Sequence, residues 1–288
     1  MESQPFIIPD ITLGNPLSNE LLVVSDSIKA ELLHSVQLHN TDIVESTHLT
    51  RKRLKLLRAF LKLLKKCGDI DSLKQLNDTF RNWGQSLSEL RDVHVHRMLI
   101  AEDTSPDYSK KLDPNVLHKV NEIANYQVEQ LENQLIAKDE IFKNLEHQIY
   151  NHSSLKTFIN ENKFDSECIL KGFKISYRKS YQAFKHAKAS EHSEPFHEWR
   201  KRLKDVQYQT ALLRSQQSLV NISVPDIERI CESLGKDQDM SNFIHWLDTL
   251  NLETKSVNQW IHHLKKSQLE LKQQLINDGN RFYKYSSA

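Results

Sequence analysis

Glycine, proline and cysteine are scarce in this chain, at six, seven and three in 288 residues. So few turn formers exclude a fold of many short strands and favour long helices. Cys67, Cys168 and Cys231 are odd in number, far apart in sequence and in no CxxC pair. The sequence therefore predicts neither a disulfide framework nor a zinc site, and a reducing compartment fits best. Nowhere do 18 apolar residues run together, and the opening "MESQPFIIPDITLG" lacks the basic region of a signal peptide. A soluble, cytoplasmic protein is expected. Also absent are a G-x-S-x-G elbow, HExxH and Gly-rich phosphate loops of either type, so nothing supports nucleophilic catalysis.

Charge is nearly balanced, with 39 Lys and Arg against 38 Asp and Glu. Such a chain does not coat anions indiscriminately, and any anion site must come from segregated charge. The fold class expected is all-α. Apolar spacing predicts helices over about 17–45, 46–66, 71–100, 114–150 and 165–189, with another opening near Ser193 and Pro195. Gly68, the segment "DTSPDYSKKLDP" at 103–114, "NHSS" at 151–154, Pro225, Gly235 and Gly279 read as punctuation.

Charge is indeed segregated. From Thr47 to Gly68 there are eight Lys or Arg and no acid. On an ideal helix His48, Arg51, Lys52, Lys55, Arg58 and Lys62 fall within about one third of the circumference. Leu49, Leu56, Leu57, Phe60, Leu63 and Leu64 fill much of the other side. Like charges three and four residues apart cost about 0.2–0.5 kcal/mol per pair, so this stripe loses roughly 1–2 kcal/mol unless something neutralises it.

The stripe recurs. "HEWRKRLKDVQ" at 197–207 aligns without gaps on "HLTRKRLKLLR" at 48–58, and "LGKDQDM" at 234–240 answers "LSELRDV" at 87–93, with Asp239 opposite Asp92. His197, Arg200, Lys201, Lys204, Gln207 and Tyr208 make the second stripe. A duplication follows, with residues 1–15 as a lead, 16–150 as the first repeat and 151–288 as the second. Two helical bundles about a pseudo-two-fold axis would set the stripes across a basic groove suited to a polyanion. Guanidinium forks grip phosphate oxygens bidentately, lysines add mobile charge, and histidine donates or gains a proton.

These residues resemble the CHAD domain, the conserved histidine α-helical domain. The resemblance rests on H-x-x-R-K-x-x-K-x-x-R at 48–58, "LRDV" at 90–93, "SYRKSY" at 176–181 and "FHEWRKRLKDVQY" at 196–208, and extends from about residue 15 to 280. It implies two four-helix bundles, a central basic cavity and binding of inorganic polyphosphate. Carried over by motif position, the ligand-facing residues are His48, Arg51, Lys52, Lys55, Arg58 and Arg91, then His197, Arg200, Lys201 and Lys204. Arg178 and Lys179 are a looser assignment. The chain departs from the pattern where Gln207 stands for Arg58 and Gln238 for Arg91, which leaves the second half less charged. Some family members carry a CYTH triphosphatase module with an ExExK strand; that motif is absent here, and the expectation is the binding module alone.

The function expected is non-catalytic polyphosphate binding, with association with polyphosphate granules as an extension and no cofactor or metal. The alternatives are an RNA or DNA binder using the same stripes and a phosphohydrolase, for which a carboxylate cluster to hold Mg²⁺ is missing. "HVH" at 94–96 and "HH" at 262–263 read as surface or interhelical histidines, because such neighbours point apart on a helix. Trp199 falls off the stripe and is expected in the core. Tyr208 falls on it, within reach of a phosphate oxygen.

Overall fold

In a computed structural model, residues 6–13, 16–101, 113–137, 140–216, 218–252 and 255–286 are described. Among them the chain is α-helix with short 3₁₀ turns and no β-strand. The helices are α1 (Leu17–Gln37), α2 (Ile43–Leu63), α3 (Ile70–Ser86), α4 (Ser88–Ala101), α5 (Pro114–Ala137), α6 (Glu140–Asn151), α7 (Ser154–Glu161), α8 (Ser166–Lys188), α9 (Ser193–Leu212), α10 (Val224–Thr249) and α11 (Lys255–Tyr285).

Local chemistry explains the boundaries. Asp42, Asp69 and Asp165 cap α2, α3 and α8 by accepting from the amides of Glu45, Ser72 and Cys168 at 2.9, 2.7 and 2.7 Å. The predicted helix over 17–45 therefore stops at Gln37, and a 3₁₀ turn leads into the Asp42 cap. The predicted helix over 71–100 breaks at Leu87, and α7 occupies ground read as a break after "NHSS". Most of the predicted loop at 103–114 lies outside the described residues.

Gly235 and Gly279 do not punctuate; both lie inside helices. Gly279 is buried where α11 meets α8 and α9, and a Cβ there would collide with Phe184 and Trp199. Close helix approach, not a turn, demands this glycine.

Two apolar clusters organise the helices. The larger joins Leu54, Leu57 and Phe60 of α2 to Phe173 and Phe184 of α8 and Trp199, Leu203 and Val206 of α9. The smaller joins Val120 and Ala124 of α5 to Phe243 and Trp246 of α10 and Trp260 and Leu264 of α11. Each cluster draws on residues before and after position 150, so the core is shared along the chain.

Cys67 and Cys168 form a disulfide, with Cα atoms 5.2 Å apart across 101 residues of sequence. This corrects the expectation that the cysteines form no disulfide. Sequence spacing hid the pair because the end of α2 is brought beside the start of α8 only by packing. Cys231 stays free and buried.

Candidate anion-binding site

The two copies of the basic motif occupy α2 and α9, and these helices pack against each other. Their apolar faces are buried in the larger core, which leaves the basic faces to meet where α4 and α10 also arrive. Residues far apart in sequence thereby act on one another's charge. Lys55 feels Arg51 on its own helix, Arg91 on α4, and Arg200 and Lys204 on α9. Lys52 acts on both His48 and Lys204. Arg51 is acted on by Arg91 and Arg200.

The physical state of the cluster follows from crowding. Lys55 is exposed to solvent, yet many protein atoms lie around it. That desolvation, reinforced by Arg200, Arg51, Lys204 and Arg91, holds its ammonium down to about 7. His48 is lowered to about 4 by burial first, then by Arg91 and neighbouring lysines. His197 is lowered by burial and by Lys201. Lys204 is lowered chiefly by burial.

Two acids face these cations. Asp92 is pulled down by Arg51 and Arg91, and Asp239 by Arg200 and Arg91, but burial among protein atoms is the larger influence and raises both carboxyls. Neither makes an ion pair within 4 Å among the described residues. The arrangement is an array of cations from three helices, α2, α4 and α9, with acids from α4 and α10 for partial compensation, able to take an anion that spans several charges.

Anchoring varies from residue to residue. Arg51 donates to the Gly84 carbonyl and to Ser88 Oγ at 2.7 Å, which ties α2 to the α3–α4 junction. Arg200 passes near Gly235, with its Nη2 3.8 Å from where a Cβ would lie, and its Nε has no partner. Lys204 donates to Gln207 Oε1 at 2.9 Å, so the glutamine standing for Arg58 accepts from a cation of its own helix. Gln238 acts on His197 and donates to Asn242 at 2.8 Å. Lys201 is 3.7 Å from Glu198 on the exposed side of α9.

Other predicted residues lie elsewhere. Lys62 is bound by both oxygens of Asp205 at 2.7 Å, a partner 143 residues away. Arg58 donates to Asn77 at 3.1 Å and is acted on by Asp205. Lys179 neighbours Lys62, Lys65, Arg202 and Asp205, so it joins this flanking group rather than the Lys55 cluster. Arg178 is exposed on α8 and is not among the cations that act on His48, Arg51, Lys55 or Lys204.

Tyr208 corrects the helical-wheel expectation. It is 6% exposed within the larger core, close to Cys231 and Arg53, with Lys204 Nζ 5.8 Å above its ring. Burial pushes its hydroxyl up to about 12. The wheel fixes direction but not depth, and α2 and α10 close over this end of the stripe.

Sequence reasoning missed Asp205, whose link to Lys62 crosses between α9 and α2 and leaves no local signal. The readings of Trp199 and of the HVH histidines agree with the structure. Trp199 is fully buried, and His94 and His96 are interhelical: His94 meets Glu132 at 2.9 Å, while His96 stacks on Trp246 at 4.9 Å. Among the described residues no group of three or more His, Cys, Asp or Glu is placed to hold a metal. No helix there is long and apolar enough to cross a membrane.

The model of the CHAD domain family matches residues 28–248. The fold is similar to that of the CHAD domain from the plant Ricinus communis, with TM-score 0.63, 14% identity and 99% of each chain covered. It is also similar to PptA from Streptomyces chartreusis, with TM-score 0.63, 11% identity and coverage of 93% of this chain and 99% of that one. No curated protein matches the sequence.

Proposed function

Because the chain belongs to the CHAD domain family, over residues 28–248, we propose that it binds inorganic polyphosphate without catalysis, in a basic groove where α2 and α9 meet. One observation carries the reading. Lys55, exposed yet hemmed in, is acted on by cations of α2, α4 and α9 together, with Asp92 and Asp239 as the principal acids opposed to them and Glu45 and Glu228 as lesser ones. Uncompensated cations held this close cost stability, and a polyanion removes that cost on arrival.

The ligand suits the donors. Three arginines and several lysines address phosphate oxygens, and the aromatic residue on the stripe, Tyr208, is buried and offers no stacking platform for a base. An all-phosphate chain therefore fits the centre better than RNA or DNA. The two motif copies make the groove a product of internal duplication, less charged on the side of Gln207 and Gln238. Residence in the cytoplasm, with association with polyphosphate granules, belongs to this reading.

Calorimetric titration with polyphosphate of defined length at two salt concentrations tests it. Affinity should fall steeply with salt as counterions are released. Arg51→Ala with Arg200→Ala should cost on the order of 100-fold, and Lys65→Ala with Lys66→Ala little. Because Arg51 also braces α3, Lys55→Met with Lys204→Met supplies an independent variant expected to lose binding as well. Equal losses from the central and helix-end pairs, or no binding by the unmutated protein, would overturn the reading.

A further inference from the structure

A second stretch without acids lies outside the site just described. From Cys168 to Ser190 there are six Lys or Arg and no Asp or Glu. Lys171, Lys174, Arg178, Tyr181, Lys185 and Lys188 follow one another at steps of three and four along α8, and all are exposed. They form one solvent-facing ridge about 26 Å long at 1.5 Å per residue. Lys171 is paired at 2.7 Å with Glu167, at the ridge's beginning. Towards its end the ridge enters an open cleft of about 610 Å³ between α8 and α11, lined by Tyr181, Lys185, Lys188, Asn280, Tyr283 and Lys284.

The cleft is cationic and aromatic together. Lys185, Lys188 and Lys284 have no carboxylate partner among the described residues; Lys188 donates to Asn280 at 2.9 Å. Tyr181 is 41% exposed, with Lys185 Nζ 5.1 Å from its ring centre. Tyr283 forms the floor: its ring stacks at 5.0 Å on Phe184, and its hydroxyl turns inward to accept from Trp199 at 3.1 Å. A packed ring lies 5.2 Å from an exposed one, rimmed by ammonium groups.

We propose that this cleft and the α8 ridge bind single-stranded nucleic acid, the bases stacking on Tyr181 and the phosphates tracking the lysines. Aromatic faces interleaved with backbone-tracking cations recognise any base without reading sequence. A bilayer suits the surface less, because a flat headgroup plane cannot follow a concave cleft, whereas a flexible strand can. The proposal is independent of the polyphosphate reading, since the ridge is exposed to solvent and none of its residues is among the cations that act on Lys55.

Fluorescence anisotropy of a labelled oligothymidylate of about 15 nucleotides tests it on the full chain, with oligouridylate, thymidine monophosphate, short polyphosphate and phosphatidylserine vesicles as competitors. Lys185→Gln/Lys188→Gln/Lys284→Gln should weaken oligonucleotide binding on the order of tenfold or more, and Tyr181→Leu on the order of tenfold. Arg51→Ala/Arg200→Ala should leave oligonucleotide binding intact. Tyr181→Leu should leave polyphosphate titration intact, which separates a ring-bearing ligand from bare phosphate. Circular dichroism of each variant confirms folding. No binding by the unmutated protein, or loss in the central variant with none in the triple, overturns the proposal. So does a silent Tyr181→Leu beside equal loss of polyphosphate or vesicle binding in the triple.

Discussion

The acid-free stretch of α2 and the acid-free stretch of α8 are alike in sequence and unlike in place. Both are basic helices with an apolar back buried in the same core. In α2 the basic face is turned towards α9, α4 and α10, and the cations act on one another; in α8 it is turned to solvent and a side cleft. Density of charge along the chain is therefore not what makes a centre. Convergence of charge from several elements does, because only crowding displaces the water that would otherwise screen each ammonium.

The largest expected effect tests that contrast with one charge change made twice. Lys55→Glu sets a carboxylate among Asp92, Asp239 and the remaining central cations, and polyphosphate affinity should fall on the order of 100-fold. Lys174→Glu makes the same change on the open ridge, and polyphosphate affinity should move by no more than about twofold. Calorimetry on both variants gives the answer, and similar losses would erase the distinction between the helices.

How far the sequence reaches is set by the same contrast. The helical periodicity, the paired motifs and the direction in which Arg51, Lys52, Lys55, Arg200 and Lys204 point are local properties, and all could be read from residues 48–58 and 197–207. Depth is not local. Tyr208 lies on the correct side of α9 and is nonetheless covered, because α2 and α10 pass over it. Lys62 appeared free because Asp205, which neutralises it, lies 143 residues on. The Cys67–Cys168 bridge was hidden for the same reason, and so was the purpose of Gly279, which is defined by Phe184 and Trp199 rather than by its own neighbours. On α8 only Arg178 and Lys179 stood out in the sequence as ligand groups; the acid-free run becomes a site only where the α11 wall makes a cleft beside it.

A smaller effect separates the helices by pH. With Lys55 held to about 7, the ammonium of the empty site gives up its proton as pH rises through neutrality. A bound polyanion restores the charge, so binding takes up a proton and affinity should fall as pH rises from 7 to 9, by up to about tenfold per unit for one proton. The folded protein without ligand behaves oppositely. The unfolded chain holds this proton up to the ordinary lysine range, so the contribution of Lys55 to stability increases as pH rises from about 7 through that range. His48, at about 4, stays neutral through this window and adds no slope. Titration in two buffers of different ionisation enthalpy measures the proton directly, and Lys55→Arg should abolish the uptake. A pH-independent affinity would place Lys55 outside the ligand's reach.

The smallest effect concerns Lys62, which has the position of a ligand group and the bonding of a structural one. Both Asp205 oxygens hold it at 2.7 Å, and Asp205 also acts on Arg58 and Arg202. Asp205→Asn keeps the shape and removes the charge, which releases one cation beside Lys179. If the polyanion runs on from Lys55 towards this flanking group, affinity should rise about two- to threefold at low salt and the gain should vanish at high salt. Stability should fall by about 1–2 kcal/mol, less than for a fully buried pair because the Lys62 side chain is 30% exposed. A lower unfolding temperature with unchanged affinity would confine the anion to the Lys55 cluster. Lys62 would then belong with Gly279 and the disulfide, among the residues that hold α2, α8 and α9 together so that the other cations can converge.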